Sequence, residues 1–322
     1  MVKYTFLLPA YKPDFFEEAL RSIKSQTLKD FKVLVSDDCS PHDLKSIYDK
    51  VCGDDPRFSY RRNEKNIGGK SLVEHWNLLV DLCKTDFLIM ASDDDIYSPD
   101  FLEELDKLVC KYPKVDLFHA RAHVINERDE VTMNDALYNE FASQMEFMAS
   151  YGNQGHIECV PNYIYRTKRI KEIGGFVDFP LAWCSDTATN NLMAENGCAT
   201  SKNILFSFRM SGENISSISK KNNEITKQKI KAAYMFYSHL EQLFNKIPQP
   251  SSKLEQYVRS SAYRAQMGIV KTSFSYFSSV LSFQEFLRLI KFMRKRSLVT
   301  DKYEVMRMFA KWWYAKRHKL SI

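Results

Sequence analysis

An apolar run over residues 87–91 stops at three consecutive carboxylates, Asp93, Asp94 and Asp95. An apolar run of that length reads as a buried strand. Three adjacent like charges repel one another, and each resists removal from water. A chain tolerates them where the strand emerges at an open crevice and a hard cation with oxygen ligands offsets the charge. In open α/β sheets that crevice lies beyond the carboxyl ends of the strands. The alternative is a solvated turn capping a helix that starts near Pro99.

The first hundred residues alternate in type. Residues 3–8, 31–35 and 58–62 read as strands, and residues 14–26, 43–52 and 71–83 as helices. In residues 14–26, Phe16, Ala19, Leu20 and Ile23 fall at helical spacing. Such alternation predicts a mainly parallel sheet with crossover helices. Further on, a helix is expected over 100–111, strands over 115–125, 158–165 and 204–209, and helices over 168–173 and 187–196. Gly174-Gly175 and Gly197 stop the last two. Residues 126–155 carry no clear period.

With 322 residues and 44% apolar content, the chain can bury a sizeable core. Its seven cysteines are scattered, with no C-x-x-C pair, which predicts reduced thiols in the cytoplasm and no zinc site. The apolar stretch 6–8 is too short for a signal peptide, and no run approaches the ~18 apolar residues of a membrane span.

Ordered motifs follow the early strands. Pro9-Ala10-Tyr11 follows the first, and Ser22-Ile23-Lys24-Ser25-Gln26-Thr27 ends the first helix. Asp37-Asp38-Cys39-Ser40 follows the second strand, then Asn66-Ile67-Gly68, then a helix carrying Asn77 that leads to Ser92–Asp95. This series, over roughly residues 1–215, resembles the family 2 glycosyltransferases, inverting enzymes of the GT-A nucleotide-sugar fold. The resemblance implies a Rossmann-like, mainly parallel sheet. It also implies transfer of a sugar from a UDP-sugar to a hydroxyl of a glycan or lipid-linked acceptor, in capsule or lipopolysaccharide synthesis.

The resemblance carries roles onto single residues. Tyr11, with Pro9 and Ala10, would lie against the uracil by stacking. Asp38 would accept the imide N–H, and Asp37 would serve the ribose; a turn or helix cap is the alternative for both. Asn66 would belong to the same pocket. Asp94 would hold Mn2+ or Mg2+, with Asp93 near the ribose and Asp95 supporting the loop. Ser92 stands where the strict D-x-D signature has its first Asp. After Gly174-Gly175-Phe176, Asp186 would be the catalytic base, or else the cap of its helix. Ser185 stands in place of a frequent Glu, and Ser211 in place of a frequent His. Arg209 would contact the diphosphate, or form a surface ion pair. Trp183 would be a sugar platform or a core residue.

A catalytic domain over 1–218 is expected, followed by an α-helical extension over 219–322. In residues 226–247, Ile230, Ala233, Tyr234, Tyr237, Leu240 and Phe244 share a helical face expected to pack on the catalytic domain. Residues 291–322 hold ten Lys/Arg against Asp301 and Glu304, so this tail is +8 and the remainder of the chain −2. Basic residues interleaved with Trp312, Trp313, Phe309 and Leu287 suit either an interfacial contact with an anionic membrane or a packed helix with a solvated basic side. No nucleic-acid motif accompanies the charge. Two other functions compete: a sugar nucleotidyltransferase, for which a basic Gly-rich phosphate loop is lacking, and an inactive nucleotide-binding scaffold.

Overall fold

The computed structural model describes residues 2–150, 156–211 and 223–318. The chain divides into two compact units. The first comprises Met1–Phe147, Gln154–Asp178 and Thr189–Ser211; the second comprises Met148–Asn153, Phe179–Ala188 and Gly212–Ile322. The expected cut at 218/219 lies outside the described residues.

The elements run β1 (Tyr4–Ala10), α1 (Phe16–Lys24), β2 (Phe31–Asp37), α2 (Leu44–Cys52), β3 (Phe58–Arg62), α3 (Leu72–Leu82), β4 (Phe87–Met90), β5 (Ile96–Tyr97), α4 (Phe101–Lys111) and β6 (Leu117–Ile125). There follow β7 (Val131–Asn134), β8 (Phe141–Ala142), α5 (Gln144–Ser150), β9 (Tyr163–Arg166), α6 (Thr167–Glu172), α7 (Ser185–Met193) and β10 (Cys198–Arg209). The later helices are α8 (Asn223–Lys246), α9 (Lys253–Phe277), α10 (Phe283–Lys295) and α11 (Lys302–His318).

The first unit is built on one ten-stranded sheet, ordered β3-β2-β1-β4-β9-β6-β10-β5, with β7 on β6 and β8 on β10. The β3-β2-β1-β4 half is parallel throughout. Strand β9 runs antiparallel to both β4 and β6. The α/β expectation therefore holds. Strand β1 is buried nearly end to end, as a central parallel strand must be. Phe6, Phe31, Tyr97, Phe101 and Phe206 pack ring against ring in the core, mostly edge to face or tilted.

The second unit, taken by itself, is helical. The expected face of α8 is present: Ile230, Ala233, Tyr237, Leu240 and Phe244 are buried. Tyr234 meets Phe274 of α9 and Phe292 of α10, and Tyr237 also meets Phe292. Among the described residues, no helix is long and apolar enough to cross a membrane.

Three stretches differ from expectation. Of the strand expected over 158–165, Val160–Asn162 form a short 3-10 helix with Pro161 in it, and the strand is Tyr163–Arg166. Residues 126–150 form β7, β8 and a short helix, elements too brief to show a period. Strand β10 begins at Cys198 rather than 204, because Cys198–Thr200 already pair with β6 before an irregularity that carries the polar Lys202 and Asn203, and pairing resumes at Ile204. Tertiary hydrogen bonding overrides local propensity there.

The turn after α6 shows why Gly174-Gly175 is needed. Both have positive φ, +90° and +89°. A Cβ on Gly175 would meet Asn77 Oδ1 at 2.4 Å, whereas one on Gly174 would meet nothing within 4 Å. Both alanine substitutions incur backbone strain of ~1–2 kcal/mol. Gly175→Ala must also break the Asn77 contact, so urea melts should show it losing at least about 1 kcal/mol more than Gly174→Ala.

Candidate active site

The parallel register brings the strand-end motifs to one edge. Ala10 lies opposite Asp37, and Leu7 opposite Met90, so β1, β2 and β4 all release their loops on the same side. Each motif residue there has a bond to make. Asp37 Oδ1 accepts from Ser40 N at 2.8 Å, and Ser40 Oγ donates to Tyr11 O at 2.6 Å. The Asp-Asp-x-Ser motif thus ties the end of β2 to the end of β1. Gln26 is fully buried. Its amide donates to Ser98 O at 2.7 Å and accepts from Leu102 N at 3.0 Å, fastening α1 to the segment beyond the acidic loop.

The three carboxylates have different fates. Asp93 Oδ2 accepts from the amides of Tyr11 (2.7 Å) and Lys12 (2.9 Å). It therefore holds the Pro9–Tyr11 loop. Asp95 is buried and accepts from Ser92 Oγ and from Arg209 N at 2.8 Å. Asp94 is the one whose carboxylate takes no backbone amide among the described residues; it is 9% exposed, with Lys12 Nζ at 3.9 Å. Burial and the neighbouring charge of Asp93 push its carboxyl up to about 6.

Among the described residues, no three His, Cys, Asp or Glu side chains cluster as a ready-made cation cage. One carboxylate without a backbone donor still suits a small divalent cation, because such an ion takes one or two protein carboxylates and fills its sphere with phosphate and water. The donor set fits Mn2+ or Mg2+ in that manner, and Asp94 is the residue that would hold it.

Arg209 corrects an expectation. It is neither on the surface nor free to reach a diphosphate, being 0% exposed. Its guanidinium donates to Asp94 O (2.9 Å), Asn126 O (3.2 Å), Asp129 Oδ1 (2.5 Å) and Glu18 Oε2 (2.6 Å), and it lies 4.1 Å over the Phe15 ring. It cross-links α1, the acidic loop and the β6–β7 turn. Asp37 is a second correction. It is fully buried, and its other oxygen accepts from Tyr60 Oη and Arg62, so it is a scaffold residue rather than a ribose ligand.

The pocket expected to hold the base has a polar floor. Asp38 accepts from Asn63 Nδ2 (2.9 Å), Ile67 N (2.9 Å) and Gly68 N (2.7 Å). A carboxylate offers about four acceptor directions, so about one remains. Asn66 is exposed, and its Oδ1 accepts from Gly69 N. Tyr11 presents 41% of its surface, enough for a planar ligand to lie on it. Two members went unrecognised in the sequence, Asn63 and His75. His75 is buried, bonded to Ser36 Oγ at 3.0 Å, and its Nδ1 lies 3.7 Å from Asp38. Burial lowers its affinity for a proton. An isolated histidine on a helix carries no signal of this role.

Asn77, which leads into the acidic motif, clasps the Gly174-Gly175-Phe176 turn through both amide atoms, to Phe176 N (2.7 Å) and Phe176 O (3.0 Å).

Asp186 belongs to the second unit. It sits in the first turn of α7 and is half-buried, which raises its carboxyl above the ordinary range. Its Oδ1 accepts from Thr187 N at 2.7 Å; among the described residues Oδ2 has no protein donor. The approach to it is strained, with Leu181, Ala182 and Cys184 at φ of 58°, 53° and 64°. Trp183 holds that turn: its indole N–H donates to Ser273 Oγ at 3.2 Å, and the Lys229 ammonium lies 4.5 Å over its ring. This boxed setting favours a packing role for Trp183 over a sugar platform.

A family model described as glycosyl transferase family 2 matches residues 5–174. The chain is 31% identical over 96 residues to a GalNAc(5)-diNAcBac-PP-undecaprenol beta-1,3-glucosyltransferase of Campylobacter jejuni, 30% of each chain. It is 30% identical over 147 residues to the succinoglycan biosynthesis protein ExoW of Rhizobium meliloti, 44% of this chain and 41% of that one. The matched stretches span less than half the length of these curated relatives. Among solved structures, Staphylococcus aureus TarS 1-349 in complex with UDP-GlcNAc superposes with a TM-score of 0.63 at 14% identity, over 99% of this chain and 92% of that one. The mannosyltransferase PcManGT of Pyrobaculum calidifontis, in complex with GDP-Man and Mn2+, gives 0.53 at 14% identity, over 96% and 84%. At such identity these likenesses establish the fold.

The contrast between Asp94 and Arg209 is measurable in EDTA. The folded chain holds the Asp94 proton more tightly than the unfolded chain does, so stability falls as pH rises from about 4 to about 6, and the full cost of the ionised group persists above that. Asp94→Asn should therefore stabilise the protein above pH 6, by on the order of 2 kcal/mol, with the gain fading toward pH 4. Arg209→Met should destabilise it by about 3 kcal/mol, because it strands carboxylates and carbonyls. Thermal melts across pH check both.

Proposed function

Because the chain belongs to the family 2 glycosyltransferases, we propose that it is an inverting glycosyltransferase that moves a sugar from a UDP-sugar to a hydroxyl of a glycan or lipid-linked acceptor. The observation that carries this reading is the shared edge of β1, β2 and β4, where an exposed Tyr11, the loop built on Asp38 and the acidic loop with Asp94 follow neighbouring strand ends. The uracil would lie on the Tyr11 ring, with its imide N–H directed to the remaining acceptor capacity of Asp38. Asp94 would hold Mn2+ or Mg2+, which when bound supplies positive charge against the leaving diphosphate. Asp93 and Asp95 hold the loops that carry Tyr11 and Asp94, and Asp93 would also lie near the ribose.

Asp186 would act as general base. Its open Oδ2 takes the proton of the acceptor hydroxyl as that oxygen bonds to the anomeric carbon. The bond from that carbon to the phosphate oxygen breaks, and UDP leaves with the electron pair. Attack opposite the leaving group inverts the centre. The raised affinity of Asp186 for a proton makes it a stronger base than an ordinary carboxylate.

The substrates named for the similar proteins support the same class. One acts on an undecaprenol-linked glycan, one belongs to succinoglycan synthesis, and one structure holds UDP-GlcNAc. The proposed reaction is a step in surface-polysaccharide assembly on a lipid-linked acceptor, at the inner face of the cytoplasmic membrane.

Calorimetric titration of UDP should give binding with Mn2+ that EDTA abolishes in the wild type and that Asp94→Asn lacks. Absence of UDP binding in the wild type would overturn the donor reading. Asp186→Asn should lose turnover about a hundredfold or more while binding UDP as before; a fully active Asp186→Asn would remove it as the base.

A further inference from the structure

Helices α10 and α11 form one small platform. Phe283 and Phe286 of α10 meet Trp312 of α11 with ring centroids 5.6 and 5.4 Å apart, and Phe286 meets Phe309 at 6.2 Å. Trp312 Nε1 donates to Leu281 O at 2.8 Å, anchoring the pair. Helix α11 fully buries only Met308 and Ala315. The opposite side is apolar yet exposed. Tyr303 is 61%, Met306 62% and Trp313 46% accessible, and with Ala310 they fall on one face at helical spacing. A buried-face helix would carry polar residues there.

Charge borders this stripe. Arg307 and Lys311 lie along one flank, Lys302 and Lys316 along the other, and Arg317 stacks over the Trp313 ring at 5.0 Å. On α10, Phe283 and Leu287 are exposed beside Arg288, Lys291, Arg294 and Lys295. The two helices carry nine Lys/Arg and two acids, Glu285 and Glu304. Both acids are already paired outside the platform, with Lys227 at 3.6 Å and Lys271 at 2.7 Å. Among the described residues, none of the nine basic side chains forms an ion pair.

We propose that the outward face of α10 and α11 docks on an anionic lipid bilayer, lying in the headgroup plane with Tyr303, Met306 and Trp313 dipping toward the acyl chains. Neither helix is long and apolar enough to span. Long basic stems let the charged heads stay among lipid phosphates while the rings go deeper. The charge complements an anionic leaflet. A second copy of the chain fits poorly, since a two-fold contact would set unpaired cations against the same cations. A nucleic acid would use the charge and leave the apolar stripe in water. The purpose of docking rests on the lipid-linked acceptor proposed above, but the binding test requires no turnover, so the two can fail separately.

The test is flotation of the full chain with phosphatidylcholine vesicles, with and without phosphatidylglycerol. Binding is expected only to the anionic vesicles, weakened by salt. Arg307→Glu with Lys311→Glu, and separately Met306→Ser with Trp313→Ser, should each reduce it about tenfold or more, with circular dichroism and UDP binding unchanged. Absence of binding to anionic vesicles would overturn the proposal, as would equal binding to neutral ones. So would wild-type binding by either folded double variant, or a wild-type oligomer that Met306→Ser with Trp313→Ser dissolves while vesicle binding persists. Should the double variants misfold, single Met306→Ser and Lys311→Gln substitutions with the same readout replace them.

Discussion

Three carboxylates in succession at the end of a buried strand are an electrostatic liability, and much of the first unit is arranged to contain it. Asp93 is neutralised by two backbone amides of the β1–α1 loop. Asp95 is held by a hydroxyl and by the amide of Arg209. The Arg209 guanidinium supplies the counter-charge from beneath, at the backbone of Asp94. Burial holds all three above the ordinary carboxylate range, and with both neighbours bonded to backbone amides Asp94 is the one left without such a donor among the described residues. Desolvation that lowers stability there also leaves a carboxylate in want of a cation.

The same logic explains the spacing of the other motifs. A parallel sheet delivers alternate loops to one edge, but loops must then be fastened to each other. Ser40 fastens β2 to β1, Gln26 fastens α1 to the chain beyond β5, and Asp38 fastens the 63–68 loop. Many motif residues therefore serve as ties between loops, and fewer face outward. Within the second unit, the strained turn before Asp186 is likewise kept in place by Trp183, Ser273 and Lys229.

Most of the first hundred residues were legible because strand and helix there are strongly periodic and each strand ends at a polar motif. Residues 126–150 were not, since strands of two to four residues have too few positions to show alternation. Asp37 and Arg209 were legible as belonging to the site, but not as its scaffold. Whether a charged residue faces solvent or other protein atoms depends on neighbours distant in sequence. Glu18 lies 191 positions from Arg209.

What the sequence determined by itself is the parallel α/β order of the first unit, the placement of the acidic run at a strand end and the basic, aromatic character of the last helices. These follow from local periodicity and from the energetic penalty of burying charge. Tertiary structure decided which of the three carboxylates is available, that Asn63 and His75 belong to the pocket floor, that Asp186 joins the helical unit, and which side of α11 is left exposed. Each of these depends on contacts between segments far apart along the chain, and no local pattern encodes them.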